Sequence, residues 1–129
     1  MDMTLTGRYH TAHQTELGHM RAVSDGRHLI RLDWDQRAFP EPDNPDDVSR
    51  ETCRQLAAYL AGNMMTFDLP LLAEGKSDTA RRWLTAMARI PYGTTMTYAQ
   101  FAALAGMPQA PRAAGTACAT NPIPIIYPC

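Results

Sequence analysis

Cys129, at the end of the segment NPIPIIYPC, is the side chain best suited to covalent chemistry. A thiolate is a strong nucleophile, and a nearby base or helix N-terminus promotes its ionisation, whereas a cysteine near a chain end is otherwise usually inert. Three prolines in these nine residues predict a stiff, extended segment. Asn121 precedes a proline, which disfavours helical geometry, so we expect a turn there that aims Cys129.

The other thiols and the histidines do not suggest a metal site. The three cysteines are irregularly spaced, which fits reduced thiols better than a disulfide framework or a zinc site. The histidines lie in the N-terminal part with no cysteine among them, and we interpret them as surface or strand residues. These residues are Cys53, Cys118 and Cys129, and His10, His13, His19 and His28.

Two short helices are predicted before the cysteine segment. Thr97 is a plausible cap for a helix over TYAQFAALA that Gly106 closes, and the turn MPQA leads into a second helix, PRAAGTACAT. This pattern is that of a helix-turn-helix, which is common in nucleic-acid binding, although plain packing of two helices produces it as well.

An arginine and a tyrosine begin these two helices. Arg112 could enter a groove or fill a gap in a base stack, or it could be a solvated surface side chain. Tyr98 could touch a phosphate or prop a base, or its ring could lie half buried between the helices.

Charge is divided unevenly along the chain. Residues 1–74 contain seven arginines and twelve acidic residues, a net charge of −5, whereas residues 75–129 contain five basic residues and one acidic residue, a net charge of +4. The basic part would suit an anionic partner, although chance produces such an asymmetry too.

The N-terminal part predicts a small antiparallel sheet and a helix. HMRAVS and RHLIRLDW are separated by Asp25-Gly26, which is typical of a hairpin turn. A helix is expected from about Asp46 to Ala61, followed by an extended link, MTFDLPLLAEGK, and a further helix from Ser77 or Asp78 to Arg89. The apolar positions expected to face the core are Val48, Thr52, Leu56, Tyr59 and Leu60 in the first helix and Ala80, Trp83, Leu84 and Met87 in the second.

Size and composition suit a single domain, or a small domain with part of another. The chain has 129 residues, of which 45% are hydrophobic and 19% charged. It has no apolar run of the roughly 20 residues that a membrane helix needs, and its N-terminus has no secretion signal. We therefore expect a cytoplasmic protein with no membrane partner.

The forty residues from Ile90 to Cys129 resemble the active-site domain of the methylated-DNA-protein-cysteine methyltransferases, which remove an alkyl group from the oxygen at carbon six of guanine. The motifs I-P-Y-G, T-Y, A-G-x-P, R-A-x-G, N-P and P-C occur in that order without a gap. The upstream part, including QLAAYLAGNMMTFDLPL, also looks like the family's.

The resemblance implies an α+β fold of two domains. Residues 1–74 would form a small antiparallel sheet with a helix, similar to ribonuclease H. Residues 75–129 would form a mostly helical, winged-helix-like DNA-binding and active-site domain, incomplete at its C-terminus.

The resemblance also implies a role for each site residue. Cys129 would be the alkyl acceptor, Arg112 would occupy the space left by the flipped guanine, and Tyr98 would help to rotate the neighbouring phosphate. Asn121 would join the recognition helix to the active-site loop, and Pro124 would line the guanine pocket. The partner would be double-stranded DNA containing an alkylated guanine, bound by a monomer with little sequence preference, and each molecule would act once, without metal or cofactor.

The sequence departs from the family pattern at its end. The family continues P-C-H-R, and that histidine, oriented by a later glutamate, draws the proton from the thiol. In the chain as given the terminal carboxylate lies on Cys129 itself and would raise the pKa of the thiol. We therefore expect a truncated chain with impaired repair; the alternatives are a non-enzymatic alkyltransferase-like protein that binds the lesion, although such proteins lack the cysteine, and an inactive remnant.

Overall fold

The computed structural model describes residues 5–91 and 93–128. The chain divides into two compact units, Met1–Glu74 and Gly75–Cys129. The first unit contains three strands and a helix, and the described part of the second contains three helices, so the predicted α+β class is confirmed.

The first unit is built on a three-stranded antiparallel sheet in the order β1-β2-β3. Its strands are β1 (Tyr9–Thr15), β2 (Gly18–Ser24) and β3 (Leu29–Asp35). The predicted hairpin joins β2 to β3: Gly26 has φ +98°, and the Asp25 carboxylate accepts hydrogen bonds from the next turn amides. Asp-Gly therefore forms this turn as expected.

Strand β1 was not among the predicted elements. Its sequence, YHTAHQT, contains few apolar residues, and only His10 is buried along it. The strand forms because β2 pairs with one edge, while the backbone of Asn44 exchanges two hydrogen bonds with that of His10, at 2.8 and 3.0 Å, on the other. These partners are distant in sequence, so local propensity does not reveal the strand.

Helix α1 (Asp47–Leu60) lies where the sequence predicts it and begins with a capping box. The Asp46 carboxylate accepts from the Ser49 amide at 2.8 Å, and the Ser49 hydroxyl accepts from the Asp46 amide at 3.1 Å. Gly62, just past the helix end, has φ +80°, which suits glycine.

The predicted inner face of α1 is only partly correct. Leu56 and Thr52 are buried, but Val48 and Tyr59 are half buried and Leu60 is 39% exposed. Two polar residues, Ser49 and Gln55, are buried in their place. Polar side chains are buried here because they hydrogen-bond across the unit: Gln55 donates to the Asp68 carbonyl and accepts from its amide, each at 2.9 Å.

The predicted extended link pairs with the start of β3. The Leu29 amide donates to the Pro70 carbonyl at 2.7 Å, and the Leu72 amide donates back to the Leu29 carbonyl at 2.9 Å. Two residues further on, the Glu74 amide donates to the Ile30 carbonyl at 3.0 Å. The link therefore ends against the sheet, with Glu74 near Arg31.

A buried ion network crosses this sheet. Asp33, whose side chain is 2% exposed, accepts from Arg21 at 2.7 Å and from Arg31 at 2.6 Å. Arg31 also contacts Glu74 at 2.9 Å, and Arg21 contacts Glu41 at the same distance. The guanidinium groups of Arg21 and Arg31 are thus each paired with two carboxylates.

The second unit is an assembly of three short helices: α2 (Asp78–Met87), α3 (Tyr98–Leu104) and α4 (Pro111–Ala119). All three lie where the sequence predicts them, and Ser77 and Thr97 cap the first two. The rings of Trp83 and Phe101 meet edge to face with centroids 5.4 Å apart. Other buried side chains of this core are Leu84, Met87, Ala114 and Ile123.

None of the helices in the described part of the chain has the length and apolarity to cross a bilayer. The cytoplasmic location expected from the sequence stays a prediction.

Candidate nucleic-acid interface and active-site loop

Tyr98 and Arg112 line one shallow groove beside α3 and α4. Tyr98 is the first residue of α3 because Thr97 and Gln100 form a capping box there, and Arg112 follows Pro111, the first residue of α4. Both side chains are exposed, Tyr98 by 56%. The groove has a volume of about 600 Å³ and is lined by Tyr98, Pro111, Arg112, Gly115, Thr116 and Ala119.

A second, smaller cavity lies on another side of Tyr98. It has a volume of about 270 Å³, and its lining includes Cys118 and Pro128, the residue before Cys129. Tyr98 therefore belongs to the walls of both depressions. The remaining lining residues are Ile90, Thr94, Thr95, Met96 and Phe101.

Asn121 closes a tight turn after α4. Its side-chain amide donates to the Tyr127 carbonyl at 2.8 Å, and its side-chain oxygen accepts from the Ile123 amide at 2.9 Å. A backbone hydrogen bond of 3.0 Å from the Tyr127 amide to the Ile123 carbonyl completes the turn. Pro124 lies inside it, half buried and paired with Tyr127 through an isolated bridge.

The extended segment predicted after Asn121 is therefore wrong. Ile123, Ile126 and Tyr127 are 0%, 6% and 7% exposed, so the chain folds back to bury them, which an extended segment would not do. The bend requires a left-handed backbone at Ile125, with φ +75°. For a β-branched residue such a conformation is an outlier that costs about 1–3 kcal/mol, and strain of this kind concentrates at functional sites.

The cationic side chains in the described part of the second unit form no ion pairs with described residues. Among its described residues, no lysine or arginine lies within ion-pair distance of a described carboxylate. Arg82, Arg89 and Arg112 are also exposed. Unpaired, exposed guanidinium groups are suited to phosphate.

Two family models together match nearly the whole chain. Residues 8–73 match the ribonuclease-like domain of 6-O-methylguanine DNA methyltransferase, and residues 78–129 match the DNA binding domain of the same family. The chain belongs to this methyltransferase family. The resemblance stated from the sequence motifs is thereby confirmed.

Similar proteins of this family are known from bacteria and archaea. The chain is 34% identical over 129 residues to the constitutive methylated-DNA--protein-cysteine methyltransferase of Bacillus subtilis, covering 94% of this chain and 78% of that one. It is 45% identical over 84 residues to the methylated-DNA--protein-cysteine methyltransferase of Methanosarcina acetivorans, covering 65% of this chain and 53% of that one. The second alignment thus spans about half the length of the relative.

Solved structures of a family member share the fold. The crystal structure of the Mycobacterium tuberculosis O6-methylguanine methyltransferase aligns with a TM-score of 0.79 at 33% identity, covering 95% of this chain and 76% of that one. A structure of the M. tuberculosis OGT in complex with DNA aligns with a TM-score of 0.78 at the same identity, covering 93% and 74%.

Of the three cysteines, Cys53 and Cys118 lie within the described residues. Cys129, the predicted alkyl acceptor, lies outside the described residues. Cys53 is a free thiol whose pKa burial raises to about 11, so little thiolate forms at neutral pH. Cys118 is half buried and lines the smaller cavity together with Pro128, and the expectation of reduced thiols stays a prediction for it.

Two features of the site were not identified from the sequence. The left-handed backbone of Ile125 has no sequence signal, since isoleucine is among the residues least expected there. The contact between Gly115 and the Tyr98 ring was not predicted either.

Proposed function

We propose that this protein repairs DNA by moving an alkyl group from the O6 atom of guanine to the sulfur of Cys129. Family membership supports the reaction class. The observation that carries the proposal is the Asn121 turn, a strained and hydrogen-bonded loop that precedes Cys129 in the chain. This turn follows α4, and the first turn of α4 lines the exposed groove.

The reaction is a single displacement. The Cys129 thiolate attacks the alkyl carbon and forms a carbon–sulfur bond, while the bond from that carbon to guanine O6 breaks. The electron pair of the broken bond stays on the guanine, which takes up a proton, and the protein keeps a thioether. Because a thioether does not revert, each molecule acts once.

The alkylated guanine must leave the base stack before a thiolate can reach it. We propose that Arg112 enters the duplex and fills the vacated space, while Tyr98 contacts the adjacent phosphate. Both are exposed at the start of their helices, in the same groove, which supports this assignment. The base would then lie on the Pro124 side of the active-site loop.

Double-stranded DNA is the proposed partner. The arginines of the second unit, which pair with none of the described carboxylates, would bind phosphates with little dependence on base sequence, and the protein would act as a monomer. Binding should weaken steeply with salt, as it does whenever phosphate contacts dominate.

The decisive experiment measures alkyl transfer directly. The protein is incubated with a duplex containing one O6-methylguanine and weighed by mass spectrometry, and the modified peptide is identified. We expect one methyl group per molecule, on Cys129, and none in the Cys129→Ser variant. Methylation that persists in Cys129→Ser, or specific lesion binding without any transfer, would contradict the proposal; the second result would favour a lesion-binding protein.

The charge at Cys129 is expected to control the rate. A polypeptide of these 129 residues bears its terminal carboxylate on the nucleophilic residue, and a nearby negative charge raises a thiol pKa. We expect slow transfer from this polypeptide, faster transfer when its terminus is amidated, and the fastest when histidine and arginine follow Cys129. Equal rates for all three forms would show that the carboxylate does not matter.

A further inference from the structure

Gly115 lies beside the ring of Tyr98. A Cβ atom built on Gly115 would lie 3.3 Å from Cε2 and 3.4 Å from Cδ2 of that ring. Carbon atoms at optimal separation lie about 3.5–4.0 Å apart, so even the smallest side chain at this position would shift the ring by a few tenths of an ångström. Gly115 sits within α4 without a left-handed backbone, so the constraint concerns space and not conformation.

The ring that Gly115 supports separates the two depressions of the site. Tyr98 lines both the groove that contains Arg112 and the cavity that contains Pro128. A base passing from a duplex in the groove to the cavity beside Pro128 would pass this ring. The position of the ring therefore affects both how the duplex binds and how the base leaves it.

We infer that Gly115 is a positioning residue that acts through Tyr98. Its missing side chain lets the Tyr98 ring lie against α4, at the boundary between the groove and the smaller cavity. The inference rests on the proposed function, because it assumes that a duplex occupies the groove.

The alternative role for Gly115 is simpler: a small residue would let α4 itself approach DNA closely. The two roles differ in one measurable respect. If Gly115 acts through the ring, adding a methyl group at position 115 should matter only while the ring is present. If DNA touches α4 at this point, the methyl group should matter whether or not the ring is there.

The test is a double-mutant cycle on duplex affinity, with fluorescence anisotropy on an O6-methylguanine duplex. We expect Gly115→Ala to weaken binding about fivefold in the otherwise unchanged protein, but less than about twofold when Tyr98→Ala is also present. In the Tyr98→Phe background, which keeps the ring, the fivefold loss should remain. Ala113→Ser is the matched control, since it adds one heavy atom to an exposed position of α4 outside the groove lining.

Two further measurements separate positioning from folding. Gly115→Ala should melt at the same temperature as the unchanged protein or higher, because alanine favours helix more than glycine does. In the unchanged protein the Hα signals of Gly115 should show an aromatic ring-current shift that disappears in Tyr98→Ala.

The outcomes are distinct. Equal losses in the presence and absence of the ring would overturn the inference, and so would the absence of the ring-current shift. If the unchanged protein showed no affinity for any duplex, both the proposed function and this role of Gly115 in DNA binding would be refuted. If it bound the duplex but transferred no alkyl group, only the proposed reaction would fail, and the cycle would still decide the role of Gly115.

Discussion

The two units use arginine in opposite ways. In the first, the buried Arg21 and the half-buried Arg31 share Asp33, and each has a second carboxylate partner. In the described part of the second, the basic side chains have no carboxylate partner, and Arg112 is exposed at the start of α4. A guanidinium group that is already paired stabilises its own fold, whereas an unpaired one remains available to an anionic ligand.

The largest expected effect comes from removing the shared carboxylate of the first unit. Asp33→Asn would remove the buried carboxylate that Arg21 and Arg31 share and leave each with one, more exposed partner, and we expect unfolding to become easier by about 3–5 kcal/mol. Urea unfolding followed by circular dichroism measures this change. Asp35→Asn, an exposed carboxylate on the same strand, is the control and should change stability by less than about 0.5 kcal/mol. Similar losses in both variants would contradict a special role for the buried network.

The next effect concerns the hydrogen-bonded turn of the second unit. Asn121→Ala removes both side-chain hydrogen bonds of that turn and should lower the free energy of unfolding by about 1–3 kcal/mol. Thermal unfolding provides the measurement. Asn63→Ala, at an exposed asparagine of the first unit whose side chain hydrogen-bonds to none of the described residues, should have little effect. An unchanged melting temperature in Asn121→Ala would mean that the turn does not depend on this side chain.

The contrast between paired and unpaired arginines is tested by duplex binding. Arg112→Ala should weaken binding to a duplex containing O6-methylguanine about tenfold, whatever the flanking sequence. Arg54→Ala removes an arginine that is also exposed but is paired with Glu51, and it should leave the affinity for the duplex unchanged. If both variants lost affinity equally, charge in general would matter and the position of Arg112 would not.

The smallest effect is expected for the exposed ion pair between Arg54 and Glu51. Hydrogen bonds from Arg54 and then Gln55 hold the pKa of Glu51 at about 2 instead of 4.5. Because the folded-state pKa is lowered, the stabilisation is present above the unfolded-state pKa and is lost as the pH falls toward about 2. The melting temperatures of the unchanged protein and Glu51→Gln should therefore converge between about pH 5 and pH 2. A constant difference across this range would show that the pair does not titrate in this way.

Elements defined by neighbouring residues could be predicted from the sequence. The Asp25-Gly26 hairpin and the four helices are confirmed, because caps, turn residues and helical periodicity act over a few positions. Strand β1 and the buried polar face of α1 could not be predicted, since each depends on partners far away in the chain. His10 pairs with Asn44, and Gln55 with Asp68.

The candidate site could likewise be predicted only in part. Its residues were identified because the family motifs are continuous in sequence, and their roles remain predictions. The conformation of the segment after Asn121 was wrong, because burial of Ile123, Ile126 and Tyr127 outweighed the tendency of a proline-rich segment to extend. That balance depends on the core that these side chains enter.

By itself, the sequence determined the family, the order of the helices and the placement of Tyr98 and Arg112 at the starts of two of them. Only the tertiary structure decided that the Tyr98 ring lies against Gly115, that Ile125 is left-handed, and that Arg31 reaches Glu74 from 43 positions away. The physical reason is one of range. Caps and turns are satisfied by near neighbours, whereas packing and buried charge are satisfied by whichever groups the fold brings together.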